Sequence, residues 1–583
     1  MFCLFKRLFS SVREYRGISL LTLLLIVGEV VIECLIPFIT ADLVNRLQSG
    51  LPVQQLLSTG LVLVLMALLS LCFGGLAGFT SARASAGFAK NLRHDMFEKI
   101  QSFSFGNVDR FSSSSLVTRL TTDITYVQMA YMMVIRIAVR SPLMLVFSVV
   151  MAYLLGGSLS TAFVVVIPVL AFGLITIARF AMPAFRRVFA KYDKLNQSVE
   201  ENVRAIRVVK GFSREPYEKE KFAAAADSIR RDFTRAERIV AFNQPLMQLC
   251  ISFNMIFILY VGARIIISTT GTALNVGHIT AMLTYGFQVL MSLMMLSMIY
   301  VMLTMSLESM RRINEVLAVT PSLTNPENPC TVIPDGSIDF EGVSFRYSDT
   351  SRNYALADVD LHIDSGMTVG ILGGTGSSKS TLVQLIPRLY DVSKGCVRVG
   401  GRDVREYDLT ALRDSVAMVL QKNQLFSGTI AENLRWGNPD ATLDELREAC
   451  RLAQADEFIA SFPDGYETRI SQGGTNVSGG QKQRLCIARA LLKHPKILIM
   501  DDSTSAVDTR TDALIRQGMR SYLPDTTKLI IAQRVSSVQD ADLILVMDNG
   551  RITDSGTHEQ LLVSCDMYRD IFEQQTHREV KDA

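Results

Sequence analysis

Two adjacent carboxylates end the apolar run in ILIMDDSTSAVD, residues 497–508. The pattern is typical of a buried parallel strand whose carboxyl end brings acids to the ligand-binding edge of an α/β sheet. Successive strand residues point to opposite faces, so Asp501 and Asp502 are expected to do different work. One acid could hold a metal ion while the other orients a water molecule, provided that a short Asp reaches far enough.

A glycine-rich turn supplies matching phosphate chemistry in TVGILGGTGSSKSTLVQLI, residues 368–386. The stretch predicts a strand, a turn whose backbone N–H groups bind anions, and a helix whose start adds its positive dipole end. Lys379 would reach the β- and γ-phosphates of a nucleotide, and Ser380 would bind Mg²⁺. Ser378 breaks the pattern G-x-x-x-x-G-K-[ST] at its second glycine, where a side chain is expected to crowd the phosphate. The predicted phosphate-binding residues are Gly373, Gly374, Thr375, Gly376, Ser377, Ser378, Lys379, Ser380 and Thr381.

The chain that must position these groups divides into an apolar first half and a second half typical of a soluble α/β domain. It has 583 residues, of which 49% are hydrophobic and 20% charged. A hydrocarbon core of about 30 Å needs roughly 20 apolar residues per helical span. Six stretches meet this length, near residues 18–45, 55–80, 129–155, 158–182, 242–268 and 276–306.

The basic residues predict the orientation of these spans. Segments 81–128 and 183–241 are rich in Lys and Arg, whereas the loops near 50, 156 and 272 are short and nearly free of them. The N-terminus, both long segments and the C-terminal half are therefore expected to lie in the cytoplasm of a plasma-membrane protein. The basic N-terminal segment lacks a small-residue cleavage site and is expected to be retained.

Charge and cysteine usage exclude other classes of protein. The formal net charge of +3 does not suggest a nucleic-acid partner. The nine cysteines are scattered singly, without a CxxC pair, so neither a disulfide framework nor a zinc site is expected.

Ionisable residues inside the predicted spans are costly in a membrane and are therefore functional candidates. Glu29 and Glu33 lie one turn apart in the first span, and Arg136, Arg140 and Arg264 lie in or near the third and fifth. They could form ion pairs that fix packing, or a polar wall for a cationic or amphiphilic substrate. The sixth span carries methionines that either fill the core or contact substrate: Met291, Met294, Met295, Met298, Met302 and Met305.

The sequence VSGGQKQRLCIARALL at 477–492, followed by the acidic strand and SAVD, resembles the ATP-binding cassette. With six preceding spans, the whole chain resembles an ABC exporter half-transporter. The resemblance implies a membrane all-α six-helix exporter domain with long cytoplasmic helical extensions, then an α/β P-loop ATP-binding cassette domain with a helical signature subdomain. The expected bounds are 1–310 for the transmembrane domain, 311–336 for a linker and 337–583 for the nucleotide-binding domain.

The resemblance also implies roles for individual residues, with ATP and Mg²⁺ as the bound groups. Tyr347 resembles the aromatic that stacks on adenine, Gln421 the glutamine that touches Mg²⁺, and Asp501 the acid that holds Mg²⁺ through water. Asp508 resembles the residue that links the two sites of a dimer, and segments near 105–120 and 205–220 resemble coupling elements. The signature, which caps the γ-phosphate of ATP held by the opposite subunit, corresponds to Ser478, Gly479, Gly480 and Gln481.

Three departures from the family pattern fall on one composite site. Asp502 stands where the family has a catalytic Glu, Gln533 stands where it has a histidine, and Ser378 is the third departure. Asp places its carboxylate roughly 1.5 Å back, and a displacement of about 1 Å can cost on the order of 10²-fold in rate. Gln can donate to a phosphate oxygen but cannot carry a positive charge or shuttle a proton. The signature, in contrast, is intact.

This asymmetry predicts the degenerate-site subunit of a bacterial heterodimeric multidrug ABC exporter. Its partner would be a second half-transporter with complete Glu and His, and the substrate a hydrophobic or amphiphilic compound taken from the cytoplasm or inner leaflet. The alternative pairing is a symmetric dimer in which Asp502 and Gln533 work adequately. The alternative functions are a lipid or peptide exporter and a non-transporting membrane regulator that senses nucleotide.

Overall fold

The computed structural model describes residues 7–48, 53–269, 274–348, 353–503 and 507–582. The chain forms two compact units. The first comprises Met1–Ser102 and Ser112–Val319, and the second comprises Phe103–Phe111 and Thr320–Ala583. Residues 504–506 of the acidic stretch lie outside the described part of the chain.

The first unit is entirely helical in the residues that the structure describes. Six of its helical segments are long and apolar enough to cross a membrane, which confirms the predicted spans. A π-helical turn at Arg119–Asp123 precedes the third long helix. The helices are α1 Arg16–Gln48, α2 Val53–Gln101, α4 Ser113–Thr118, α5 Ile124–Gly156, α6 Thr161–Arg204, α7 Ile206–Gly211, α8 Glu215–Ala241, α9 Asn243–Thr269 and α10 Val276–Ala318; α3, Phe105–Asp109, belongs to the second unit.

The apolar side chains of these helices are exposed to a degree that suits lipid. In α2, Leu61, Leu68 and Leu71 expose 61%, 53% and 70% of their surface. Contiguous apolar surface of this extent is unfavourable in water and favourable in a bilayer. The chain is accordingly a multi-pass membrane protein.

The intramembrane charges form one cluster that excludes Arg264. The Arg140 guanidinium binds Glu33 at 2.7 Å and lies 3.4 Å from Glu29. Arg136 contributes positive charge near Glu29, whereas Arg264 is exposed on the surface of α9. The pairing agrees with the packing alternative and leaves the substrate alternative open.

The methionines of α10 differ in their surroundings. Met291 and Met294 pack against a buried cluster that includes Leu170 and Met247. Met298 is 57% exposed. Met295 and Met302 are half-buried, and the side chain of Met305 lies outside the described residues.

The second unit is built on two main sheets. The six-stranded sheet has the order β12-β11-β3-β10-β9-β6, in which only β12 is antiparallel to its neighbour. The four-stranded sheet is antiparallel, with the order β2-β1-β4-β5. The strands are β1 Ile338–Phe345, β2 Leu356–Ile363, β3 Thr368–Gly373, β4 Lys394–Val399, β5 Arg402–Asp403, β6 Val416–Val419, β7 Gly428–Thr429, β8 Arg469–Ile470, β9 Ile497–Asp501, β10 Thr527–Ile531, β11 Leu543–Asp548 and β12 Arg551–Gly556.

Helices cover the larger sheet and form a subdomain around a shared apolar core that includes Leu446, Leu491 and Met500. This arrangement confirms the predicted α/β domain with a helical part. The helices are α11 Lys379–Leu385, α12 Leu409–Ser415, α13 Ile430–Leu434, α14 Leu443–Leu452, α15 Asp456–Ala460, α16 Gly479–Leu491, α17 Thr509–Tyr522, α18 His558–Ser564 and α19 Asp566–Asp582.

Candidate functional site

The carboxyl ends of three parallel strands meet at one edge of the six-stranded sheet. Ile531 in β10 pairs with Asp501 in β9 on one side and with Ile371 in β3 on the other. The loop that begins at Gly373 therefore starts beside the acids, and Gln533 follows two residues after the end of β10. All five residues of β9 and of β10 are buried, and most of them are apolar, as is typical of parallel strands covered on both faces.

The glycine-rich loop has positive φ at three positions, Gly373, Gly376 and Ser378. Gly376 has a φ of 86°, and open space surrounds the position that a Cβ would occupy. Ser378 has a φ of 71° and a ψ of 24°, which a glycine adopts freely but which costs an L residue about 1–2 kcal/mol. The sequence departure at Ser378 thus coincides with a position where the loop requires positive φ.

Two residues at the start of α11 carry the charge and the hydroxyl of the loop. Lys379 Nζ donates to the carbonyl oxygens of Gly373 and Gly374, each at 2.8 Å. Burial lowers the pKa of Lys379, and the charges of Asp501 and Asp502 oppose this shift. The two hydrogen bonds hold the Lys379 side chain at the mouth of the loop.

Asp501 and Ser380 together form a donor set that fits Mg²⁺. Ser380 Oγ donates to Asp501 Oδ1 at 2.9 Å. Burial raises the pKa of Asp501, the hydrogen bond from Ser380 opposes this, and the charge of Asp502 adds to it. Hydroxyl and carboxylate oxygens are the hard ligands that Mg²⁺ prefers, and a dication would offset the cost of burying the carboxylate.

Asp502 is held by two glutamines. Its Oδ2 accepts a hydrogen bond from Gln533 Nε2 at 2.7 Å and another from Gln421 Nε2 at 3.4 Å. The residue is 9% exposed and has a φ of 48°, so its backbone leaves the strand direction at this point. Gln483 Nε2 lies 3.4 Å from the Asp502 carbonyl oxygen and supports the same residue from α16. Asp502, Gln421 and Gln533, all three predicted from the sequence as site residues, are thus brought into direct contact.

Tyr347 lies beside the loop within an aromatic cluster. Its hydroxyl and that of Thr381 are 2.9 Å apart, and more than half of its surface is exposed. Its ring centroid is 4.9 Å from that of Phe345 and 5.3 Å from that of Tyr390. The remaining predicted loop residues, Thr375 and Ser377, lie between Gly374 and Ser378, with Thr375 exposed and Ser377 buried.

The signature residues and Asp508 begin two other helices. Ser478 Oγ accepts from Gln481 N at 3.2 Å and Gln481 Oε1 accepts from Ser478 N at 2.9 Å, so the two form a capping box that encloses Gly479 and Gly480. Asp508 caps α17 by accepting from Thr511 N at 2.9 Å. In the described part of the chain these side chains do not join the hydrogen bonds of the phosphate loop.

The structure adds three residues that the sequence analysis missed: Gln483, Gln575 and Tyr390. Gln575 bonds to the loop that carries Gln533, and Tyr390 touches both Tyr347 and the segment at 103–111. Gln483 lies in the signature stretch 477–492 but was not singled out there, and Gln575 and Tyr390 lie outside the motifs. For Gln575 a signal exists, since it follows Tyr568, Ile571 and Phe572 at helical spacing and shares their face.

Comparison with known proteins relates this arrangement to one family. The family model described as "ABC transporter transmembrane region" matches residues 19–294, and that described as "ABC transporter" matches residues 356–505.

Two relatives match nearly end to end. The chain is 35% identical over 577 residues to "Uncharacterized ABC transporter ATP-binding protein YfiB" of Bacillus subtilis, covering 98% of this chain and 99% of that protein. It is 36% identical over 565 residues to "Uncharacterized ABC transporter ATP-binding protein MT1311" of Mycobacterium tuberculosis, covering 96% of each. A solved structure of a bacterial Atm1-family ABC exporter with ATP bound matches with a TM-score of 0.83 and 25% identity, covering 97% of this chain and 98% of that one.

Proposed function

This chain belongs to the ABC transporter family, and we propose that it is the ATP-holding, slowly hydrolysing half of a heterodimeric exporter. As an ABC exporter half-transporter, it needs a second half-transporter to complete a working pair. The finer proposal concerns which half of that pair it forms.

The observation that carries the proposal is the environment of Asp502. The family's hydrolysis base extends a Glu toward the attacking water, whereas here the shorter carboxylate accepts from Gln533 at 2.7 Å and Gln421 at 3.4 Å. An acid that is one methylene short and already hydrogen-bonded to two amides is a poor base, because the amides occupy its oxygen lone pairs and hold it away from a water molecule.

The same face of the domain retains what is needed to bind ATP. Tyr347 offers an exposed ring for adenine, and the loop from Gly373 to Thr381 offers backbone N–H groups to the phosphates. Lys379 would turn from the loop carbonyls to the β- and γ-phosphates. Mg²⁺, when bound by Ser380, Gln421 and Asp501, would supply charge neutralisation on the phosphate oxygens.

The opposite face of the domain would complete the partner's site. Ser478 and Gln481 fix the start of α16, where the backbone of Gly479 and Gly480 leaves N–H groups free to face a phosphate. Asp508, at the start of α17, would communicate between the two sites across the dimer.

Two cytoplasmic segments would couple these sites to the spans. The helix α3 belongs to the second unit, where Tyr390 donates to Asp109 at 2.8 Å and packs against Phe105. Tyr390 also contacts Tyr347, so the first segment is one aromatic ring away from the adenine position. The second segment, α7, exposes Val208 and is followed by exposed Phe212, which suits docking on the partner.

Transport would use residues 1–310, joined by the linker 311–336 to the nucleotide-binding domain at 337–583. The Lys- and Arg-rich segments favour a plasma-membrane protein with its N-terminus and nucleotide-binding domain in the cytoplasm. The exported compound would be hydrophobic or amphiphilic, with a lipid or peptide as the alternative cargo. Absence of substrate-stimulated ATPase for every compound class would favour a non-transporting regulator instead.

The test compares the full-length chain alone with the chain co-purified with a half-transporter that carries Glu and His at the corresponding positions. We expect negligible ATP turnover alone and robust turnover in the pair. Rapid turnover by the chain alone would contradict the proposal.

Two matched substitutions distinguish this chain's own ATP site from the partner's site that its signature would complete. In the pair, Ser478→Ala should reduce turnover strongly because it damages the partner's site and removes a helix cap worth about 1 kcal/mol. Asp502→Asn should have little effect, since the slow site contributes little turnover. A larger loss from Asp502→Asn than from Ser478→Ala would show instead that this chain's own site is the active one.

A further inference from the structure

The C-terminal helix α19 is hydrogen-bonded to the loop that carries Gln533. Gln575 Nε2 donates to the Gln533 carbonyl oxygen at 2.8 Å, and Gln575 Oε1 accepts from Val535 N at 2.8 Å. One side-chain amide thus satisfies both backbone groups that flank Arg534, as a neighbouring strand would. Both bonds are short enough to fix the loop rather than merely touch it.

The position of this loop determines whether Gln533 can hydrogen-bond to Asp502. Asp502 N donates to the Ile531 carbonyl oxygen at 3.0 Å, so the acid is tied to the end of β10. The Gln533 side chain then reaches back to the carboxylate at 2.7 Å. A loop shift of about 1 Å would lengthen that contact beyond hydrogen-bonding distance. The Asp502 environment therefore depends on where residues 532–535 are held.

The helix that holds them is itself well anchored. Tyr568 is fully buried among Val546, Leu561 and neighbouring side chains. Its hydroxyl lies 2.6 Å from His558 Nδ1, and the His558 ring is 5.2 Å from that of Phe572. The helical spacing places Gln575 on this buried face, one turn beyond Phe572. The anchor makes the glutamine a fixed point rather than a mobile surface side chain.

We propose that Gln575 is a positioning residue for the nucleotide site, acting through Gln533 on Asp502. It keeps the Gln533 amide against the carboxylate, which neutralises part of the negative charge next to the γ-phosphate position. This inference rests on the proposed nucleotide-binding role of the Asp502 site, and it does not require that the site be slow.

The test measures how fast a nucleotide leaves the full-length chain. The probe is a fluorescent, non-hydrolysable ATP analogue with Mg²⁺, so that hydrolysis does not enter the result. Gln575→Met keeps the length and apolar stem of the side chain but removes both hydrogen bonds. Freed from Gln533, the Asp502 carboxylate would repel the phosphates, and we expect dissociation about tenfold faster, the effect of one charge-assisted hydrogen bond. Gln574→Met, at the exposed neighbouring position, is the matched control and should change nothing.

A double-mutant cycle separates positioning from general stability. Gln533→Ala should accelerate dissociation by itself, and adding Gln575→Met should then produce no further change. Equal effects of Gln575→Met with and without Gln533 would overturn the proposal, as would no effect in either background. If the methionine variant folds poorly, Gln575→Asn replaces it. Asn is too short to span both backbone groups, so it should accelerate nucleotide dissociation in the same way. Rapid ATP turnover by the chain alone would refute the slow-site function without altering this cycle.

Discussion

The double substitution Asp502→Glu with Gln533→His should convert the proposed slow site into a hydrolytic one. Glu carries its carboxylate about 1.5 Å farther from the backbone than Asp. In the wild type, the Gln533 amide donates to the Asp502 carboxylate at 2.7 Å. The single variant Asp502→Glu is expected to gain little, because Gln533 can still donate to the longer acid and supplies no histidine.

The expected gain follows from the sensitivity of positioned reactions to displacement. A misplacement of about 1 Å costs roughly 10²-fold in rate, which corresponds to about 2.7 kcal/mol at 1.36 kcal/mol per decade. We therefore expect the double variant alone to release phosphate about 10²-fold faster than the wild-type chain alone. Adding Lys379→Met to the double variant is the control for contaminating ATPase and should abolish the gain.

Two results would refute this reasoning. If the double variant is no faster than the wild type, the length of Asp502 and the lack of a histidine do not limit the site. If Asp502→Glu alone reaches the full rate, the contact with Gln533 does not block the longer acid. Phosphate release by the chain in lipid nanodiscs at saturating Mg²⁺-ATP measures all four proteins under the same conditions.

Substitutions at three other positions test the remaining roles. Tyr390→Phe keeps the ring but removes the hydroxyl that donates to Asp109 in the coupling segment at 2.8 Å. Nucleotide affinity should therefore be unchanged, while the substrate-stimulated ATPase of the pair falls severalfold. Unchanged stimulation would exclude coupling through this hydrogen bond. Arg140→Met removes the shared partner of Glu29 and Glu33, so the thermal unfolding midpoint should fall. The loss should be smaller than the roughly 3–5 kcal/mol of a fully buried pair, because the Arg140 side chain is 39% exposed. An unchanged midpoint with altered transport would favour substrate contact. Asp508→Ala should remove the N-cap of α17, at a cost of about 1 kcal/mol, whereas Asp508→Asn keeps the cap. If both variants lose turnover of the pair, Asp508 acts in communication between the sites. If only the alanine variant loses turnover, Asp508 acts through the helix cap.

The elements could be predicted from the sequence because their signals are local. Twenty apolar residues in a row can satisfy their backbone only as a helix within a bilayer, so all six spans were predictable. The run ILIMD is apolar, short and bounded by turn residues, and it forms β9 with every residue buried. The positions of Lys379 and Ser380 followed from the motif, because a strand–turn–helix unit fixes them within a few residues.

The contacts between distant segments could not be predicted in the same way. The sequence identifies Asp502 and Gln533 as departures, but only the register of β9 against β10 puts their side chains 2.7 Å apart. Gln575 is a further 42 residues along the chain from Gln533, and its partners are backbone atoms, which carry no sequence signal. The left-handed backbone of Ser378 is likewise invisible in its residue type, since serine rarely adopts it.

The proposed difference between this chain's own ATP site and its signature bears on how a dimer would use ATP. In a dimer of two identical chains, both sites would combine an intact Ser478 signature with an Asp502 held by glutamines, so neither would turn over quickly. In the unequal pair that we propose, the signature of this chain would serve the partner's Glu and His, and the ATP at the proposed slow site would remain bound between the two domains. A ligand that binds only the closed state and is present at 100 times its Kd stabilises that state by about 2.7 kcal/mol. ATP at the proposed slow site would therefore keep the two domains associated between the partner's turnovers. A faster base in place of Asp502 would hydrolyse that ATP and remove this stabilisation.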